Sequence, residues 1–126
     1  MDVCYNKFMK IFVYGTLRKG LGNHDYLKGA KFIQKAVLKD HIIYVSGLPF
    51  LTFSQGKECV GEIYEVSSEQ LSLIDSLEGH PNWYKRSDIS SHLDIEDRVE
   101  AYLMEKNQID ADATEVKDYY ELSRVS

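Results

Sequence analysis

Short apolar runs separated by glycine-containing turns recur along most of the chain, and this pattern predicts a small sheet-based fold. Residues 10–14 (KIFVY) are nearly all apolar or β-branched, and the run stops at Gly15. Such a run is typical of a central strand buried on both faces. Residues 59–66 alternate in part between apolar and polar, as a half-buried strand does. Further strands are predicted at 50–53, 84–93 and 99–106.

Residues 30–44 leave two interpretations open, because their apolar spacing fits a strand–turn–strand and also a helix over 32–39. Turn-forming residues at 54–57 predict a break before the next strand, and Asn23 predicts the start of a short helical turn at 24–27. Evenly spaced strands and turns predict an α+β fold. We expect a small mixed or antiparallel β-barrel of about six strands with one or two packed helices.

One amphipathic helix stands out after residue 66. Ser67 is a good N-cap, and Gln70 three residues later completes a capping-box pattern. Gly79 suits the position just after the last helical turn. A helix of this length is not stable alone, so its apolar side must pack on the sheet.

Glu78 lies at the end of this helix on the face that should point inward. On a wheel of 100° per residue, Leu71, Ile74 and Glu78 share one side, and Leu73 and Leu77 widen the apolar stripe. The inward stripe therefore carries a carboxylate to the edge of the core.

Two interpretations of Glu78 remain from the residues alone. Burial and the negative end of the helix dipole both disfavour its charge, which would raise its pKa and suit it to take up a proton and return it. Alternatively it tilts into solvent or pairs with Lys85 or Arg86, the commoner situation for a carboxylate. Asp75, beside it, either raises that pKa further or faces solvent.

The segment 12–20 (FVYGTLRKG) is a strand followed by a glycine-containing loop. Gly15 permits a turn, and the backbone N–H groups around Thr16 and Leu17 could form a concave donor site for a carboxylate or oxyanion. The glycine spacing matches neither a phosphate-binding P-loop nor a dinucleotide fingerprint. Arg18 and Lys19 could attract an anionic substrate, although a solvated loop is the commoner role for such residues.

Composition narrows the function classes. At 126 residues and 44% hydrophobic content the chain suits a single domain (1–126), with a core at about 10–105 and an acidic tail at 107–126. A net charge of −5 without a basic stripe argues against nucleic acid. Apolar runs are too short to span a bilayer and no secretory signal is visible, so we expect a cytoplasmic protein without a membrane partner.

Other chemistry-bearing residues give weak signals. Cys4 and Cys59 fit buried thiols of a reducing compartment, and a disulfide between them is the alternative that the sequence leaves open. Four scattered histidines do not suggest a metal site, and His80 next to Glu78 suits a solvated turn or a tuning role. A tail cluster, Asp118-Tyr119-Tyr120, could dock on the body of the protein.

Four segments together resemble the γ-glutamylcyclotransferase-like (AIG2-like) superfamily, over about residues 10–105. They are VYGTLRKG followed by Asn23-His24, GLPFL at 47–51, VGEIYEV at 60–66 and IDSLEGHPNWYKR at 74–86. The opening signature and the E-x-x-P-x-x-Y-x-R run look closest to γ-glutamylamine cyclotransferases.

This resemblance implies a small β-barrel enzyme that releases 5-oxoproline and a free amine from a γ-glutamyl amide. The α-amine of the substrate would attack its own γ-carbonyl, with Glu78 as general acid and base. The residues implied to hold the substrate are Tyr14, Gly15, Thr16, Leu17 and Tyr84. No metal and no organic cofactor are implied.

Two further readings stay open beside the cyclotransferase. One is a non-catalytic binding module that keeps the γ-glutamyl or 5-oxoproline pocket. The other is a related enzyme that removes a γ-glutamyl protecting group from one metabolite.

Overall fold

Two long antiparallel strands form the framework of the protein in a computed structural model that describes residues 8–123. The six strands are β1 Phe8–Val13, β2 Lys31–Ser46, β3 Leu48–Ser67, β4 Lys85–Asp88, β5 Val99–Leu103 and β6 Thr114–Val116. The α-helices are α1 Ser68–Glu78 and α2 Tyr120–Ser123, and 3-10 turns lie at His24–Leu27, Ser90–His92 and Lys106–Gln108.

The strands form one mixed sheet in the order β4-β5-β1-β3-β2-β6. β1 and β5 run parallel, and the other neighbouring pairs are antiparallel. The long strand β3 also touches β5 through Leu51 and Leu103, so the sheet curls. The predicted α+β class with about six strands is confirmed, but the sheet does not close, so the word barrel describes it only loosely.

Residues 30–44 form neither a helix nor two strands, because β2 is one strand of 16 residues that pairs with β3 across two shifts of register. The expected turn at 54–57 also lies within β3. The turn-forming residues 54–57 of β3 lie opposite a β-bulge in β2, where the register shifts between Lys39 and His41. Both Asp40 and Gly56 take positive φ there, and the Gly56 N–H donates to Asp40 Oδ1 at 2.9 Å. Pairing resumes beyond the bulge with Lys39 opposite Glu58.

Two hydrophobic clusters cover the two faces of the sheet. Along β1, Phe12 belongs to one cluster, while Ile11 and Val13 belong to the other. This alternation confirms the central strand predicted from its continuous apolar run. Gly61 on β3 is required by close approach, because a Cβ there would collide with the Phe12 ring.

Helix α1 begins and ends as its sequence predicts. The Ser67 side chain accepts the Gln70 N–H, and the Gln70 side chain accepts the Ser67 N–H. Gly79 ends the helix in the left-handed conformation at φ 70°. Ile74 is fully buried, but Leu73 is 61% exposed and does not widen the apolar stripe, contrary to the prediction.

The segment after β5 adds to the sheet. β6 pairs antiparallel with β2, placing Val116 opposite Ile43 in the first cluster, and Ile109 packs in the second. The strand predicted at 84–93 is shorter, since β4 ends at Asp88 and a 3-10 turn follows. Within residues 8–123, no helix is long and apolar enough to cross a membrane.

Candidate active site

A cavity of about 160 Å³ lies where the loop after β1 meets the end of α1. All six residues predicted for the site line it: Tyr14, Gly15, Thr16, Leu17, Glu78 and Tyr84. Eight residues outside the predicted site also line it: Phe12, Val13, Asn23, Leu48, Pro49, Leu77, Trp83 and Tyr102. The fold therefore brings together residues that are about sixty positions apart.

Glu78 is the last residue of α1 and is half-buried in the cavity wall. No hydrogen bond or ion pair in residues 8–123 joins its carboxyl group to another group. Burial raises the pKa of Glu78 to about 7. A carboxyl group with that pKa exchanges a proton readily near neutral pH.

Arg86, which could have formed an ion pair with Glu78, pairs with other carboxylates. Its Nε and Nη2 donate to the two oxygens of Asp75 at 3.0 and 3.1 Å, and Nη1 donates to Glu100 at 2.6 Å. Tyr102 Oη also donates to Asp75, at 2.6 Å. Asp75 is therefore paired with Arg86 instead of facing solvent. Burial alone accounts for the raised pKa of Glu78, and the Asp75 charge is not needed to explain it.

The loop 15–23 is held by its own hydrogen bonds. The Arg18 N–H donates to the Gly15 carbonyl at 3.0 Å, and Asn23 donates from its backbone and its side chain to Thr16. Within residues 8–123, the Thr16 and Leu17 N–H groups donate to no protein acceptor. These two donors at the cavity wall are available to a ligand oxygen.

Gly15 is needed for a different reason from the one predicted. Its φ is not in the left-handed region, so the turn itself would accept another residue. A Cβ at this position would instead collide with Cγ of Pro49. The glycine therefore lets the loop pack against Pro49, which also lines the cavity.

Three tyrosines surround the carboxyl group of Glu78 with their hydroxyl groups already bonded. Tyr14 donates to the Tyr102 carbonyl at 2.8 Å, and Tyr84 donates to the Pro49 carbonyl at 2.7 Å. Burial raises the pKa of each, and the Glu78 charge contributes to all three increases. They remain neutral at working pH and serve as cavity walls, with Tyr84 stacked on Phe50.

Other candidate residues lie outside this cavity. Arg18 is fully buried and paired, contrary to the expectation of a solvated loop residue. Burial raises the pKa of the Cys59 thiol to about 12, so it is not a nucleophile; Cys4 lies outside the described residues. His41 and His92 approach each other, with ring centroids 5.0 Å apart, but no three possible ligands in 8–123 could hold a metal.

The raised pKa of Glu78 predicts that Glu78→Gln stabilises the protein at alkaline pH. Between pH 4.5 and about 7 the folded state keeps the proton that the unfolded state has lost, so wild-type stability falls as pH rises through that window. Glutamine mimics the neutral form. We expect the variant to exceed wild type by about 2 to 3 kcal/mol at pH 8 and to match it at pH 4, measured by urea unfolding.

Glu69→Gln is the matched control, since Glu69 is exposed at the other end of α1. Equal stability of Glu78→Gln and wild type at pH 8 would show that burial does not penalise the Glu78 charge.

Comparison with known proteins identifies the family of this chain. Residues 11–121 match the family described as gamma-glutamyl cyclotransferase, AIG2-like. A Methanocaldococcus jannaschii protein whose name places it among the gamma-glutamylcyclotransferases is 42% identical over 115 residues, covering 86% of this chain and 96% of that protein. Gamma-glutamylaminecyclotransferase C of Danio rerio is 38% identical over 90 residues, covering 63% of this chain and 59% of its own.

A solved structure shows the same fold. The protein PH0828 of Pyrococcus horikoshii superimposes with a TM-score of 0.75 at 27% identity, covering 92% of this chain and 93% of that one. The family match spans most of the chain, and the M. jannaschii relative is covered almost completely. The chain therefore belongs to the gamma-glutamyl cyclotransferase, AIG2-like family, which confirms the enzyme class that the resemblance implied.

Proposed function

We propose that the protein converts a γ-glutamyl amide into 5-oxoproline and a free amine. The observation that carries the proposal is the carboxyl group of Glu78, which has a pKa of about 7 and no partner within residues 8–123. It shares a small cavity with the free N–H groups of Thr16 and Leu17. A proton carrier and a pair of oxygen-binding donors are the two elements that amide cyclisation needs.

In the first step, the Glu78 carboxylate takes a proton from the substrate α-ammonium group. The freed α-amine attacks the γ-carbonyl carbon, and the carbonyl oxygen gains negative charge. In the second step the bond to the leaving nitrogen breaks as Glu78 gives a proton to that nitrogen. After ring closure the former α-nitrogen still carries one proton more than a lactam, and Glu78 takes this second proton and passes it to the released amine. The amine therefore leaves as an ammonium ion, and the enzyme ends unchanged.

The loop acts as an anchor in this scheme. The Thr16 and Leu17 N–H groups hold substrate oxygens, and such donors are worth most in a site with little water. Positioning supplies much of the rate gain, because the nucleophile is already tethered to its target. The rings of Tyr14 and Tyr84 form walls of the cavity and limit the substrate to conformations in which its α-amine lies near its γ-carbonyl.

A non-catalytic binding module is the alternative function. The retained Glu78 favours the enzyme, because loss of this carboxylate would be the simplest route to an inactive module. Removal of a γ-glutamyl protecting group from one metabolite uses the same chemistry and differs only in the amine released. The buried free thiol of Cys59 fits a reducing compartment, which supports a cytoplasmic location.

The test is a panel of γ-glutamyl amides, with the γ-glutamyl group on alkylamines, amino acids and peptides, and with products separated by chromatography. We expect 5-oxoproline and amine in equal amounts from at least one class. N-acetylated versions of the same amides are the matched controls and should not react, since acetylation removes the nucleophile. Glutamate as product, or reaction of the acetylated amides, would contradict cyclisation. Binding without turnover would favour the module.

A further inference from the structure

Arg18 is the most deeply buried charged residue near the site. It immediately follows the cavity-lining residues Thr16 and Leu17, yet its own side chain turns away from them into a polar cluster. Its Nε donates to Glu62 Oε2 at 3.2 Å, and its Nη1 donates to Asp118 Oδ1 at 2.6 Å. A buried arginine needs such partners, because its charge has lost contact with water.

The second half of the cluster comes from the C-terminal segment 118–122, a hundred residues along the chain. The ring of Tyr120 covers the Arg18 guanidinium, with Cζ 3.7 Å from the ring centroid. Its hydroxyl group donates to Glu62 Oε2 at 2.9 Å and contacts the Lys19 carbonyl at 2.6 Å. Asp118 Oδ1 also accepts the Tyr120 N–H at 3.0 Å, so the one carboxylate binds Arg18 and starts α2.

Glu62 joins the segment to the loop. Its Oε1 accepts the Lys19 N–H at 3.1 Å and the Tyr64 hydroxyl at 3.0 Å. The backbone of Lys19 is thus held at both its N–H and its carbonyl group, and Arg18 is held through its side chain. The loop therefore lines the cavity with Thr16 and Leu17, whose N–H groups are free, and is held at the two residues that follow them.

We propose that Asp118 and Tyr120 are positioning residues for catalysis, which fix the Thr16 and Leu17 N–H groups through Arg18 and Lys19. This inference rests on the proposed function. The donor site binds the substrate oxygens well only if its N–H groups are already aligned when the substrate enters, and small misplacements are costly. The cluster supplies that alignment, since it immobilises the two residues that follow the donors.

The test compares wild type with Asp118→Asn, Tyr120→Phe and Tyr120→Leu in the full chain. Phenylalanine keeps the ring on Arg18 and loses the hydroxyl contacts, while leucine loses both. We expect Tyr120→Leu and Asp118→Asn to lower kcat/KM about tenfold with a clear rise in KM, and Tyr120→Phe to fall between them and wild type. Amide hydrogen exchange in the peptide covering 15–21 should accelerate in the same order.

Glu121→Gln is the matched control, because Glu121 is exposed on α2 and should leave both readouts unchanged. A merely structural role would lower the folded fraction, and hence kcat, without raising KM. Variants whose KM equals that of wild type would overturn the inference, even if amide exchange in the loop became faster. Unchanged amide exchange in the peptide 15–21 would overturn it as well. If wild type turns over no γ-glutamyl amide, the proposed function fails and takes the catalytic role with it. The exchange rates then still decide whether the segment holds the loop.

Discussion

Replacing Glu78 with glutamine is expected to lower kcat for 5-oxoproline release by about 10²- to 10⁴-fold, the usual contribution of a general acid or base. Glutamine keeps the size of the side chain and leaves the cavity walls in place, but it cannot accept a proton from the α-ammonium group. Within residues 8–123 no other carboxyl group lines the cavity, so no neighbouring side chain replaces the lost base. Steady-state kinetics on the best amide of the panel gives the measurement.

The pH dependence of the same reaction provides a second readout. In wild type, kcat/KM should rise with pH through about 7, because the ionised form of Glu78 is the one that accepts the first proton. The residual activity of Glu78→Gln should lack this step. Glu69→Gln should retain both the rate and the pH profile of wild type. A Glu78→Gln enzyme with the wild-type kcat would remove Glu78 from the mechanism.

Replacing Arg18 with methionine is expected to cost about 3 to 5 kcal/mol of folding stability, among the largest effects of any single substitution here. Methionine fills similar space but carries no charge. The carboxylates of Glu62 and Asp118 then lose the arginine with which both are paired. Burial opposes the ionisation of Glu62. Hydrogen bonds from Lys19, Tyr120 and Tyr64 and the Arg18 charge nevertheless hold its pKa below the usual range. Urea unfolding at pH 7 measures the loss.

Arg98→Met is the matched control for this substitution. Arg98 also contacts two carboxylates, Asp88 and Glu100, but its side chain is 61% exposed. Ion pairs of an exposed arginine contribute less than about 1 kcal/mol, and the buried Glu100 keeps Arg86 as a second partner, so this variant should lose little stability. Adding Glu62→Gln to Arg18→Met should recover part of the loss, because one uncompensated charge disappears. Equal costs at the two arginines would show that the buried cluster contributes no more than a surface pair.

Local signals in the sequence determined the elements that carry the site. The capping box at Ser67 and Gln70 and the glycine at 79 place both ends of α1, because caps satisfy backbone groups within a few residues. The continuous apolar run at 10–14 identifies β1, because a strand buried on both faces has no polar side. Helical spacing predicts that Glu78 points inward, and the family resemblance predicts that it acts with the loop at 14–17. In the folded protein both line the same cavity.

Long-range contacts decided the rest. The sequence could not show that Arg86 pairs with Asp75 and so leaves Glu78 unpaired, since this depends on how β4 packs beside α1. Nor could it show that Arg18 is buried, because its partner Asp118 lies a hundred residues away. Gly15 needs no special backbone angle, and its reason is the approach of Pro49 from another strand. Propensity and periodicity act over a few residues, whereas burial and charge pairing depend on neighbours that only the folded chain brings together.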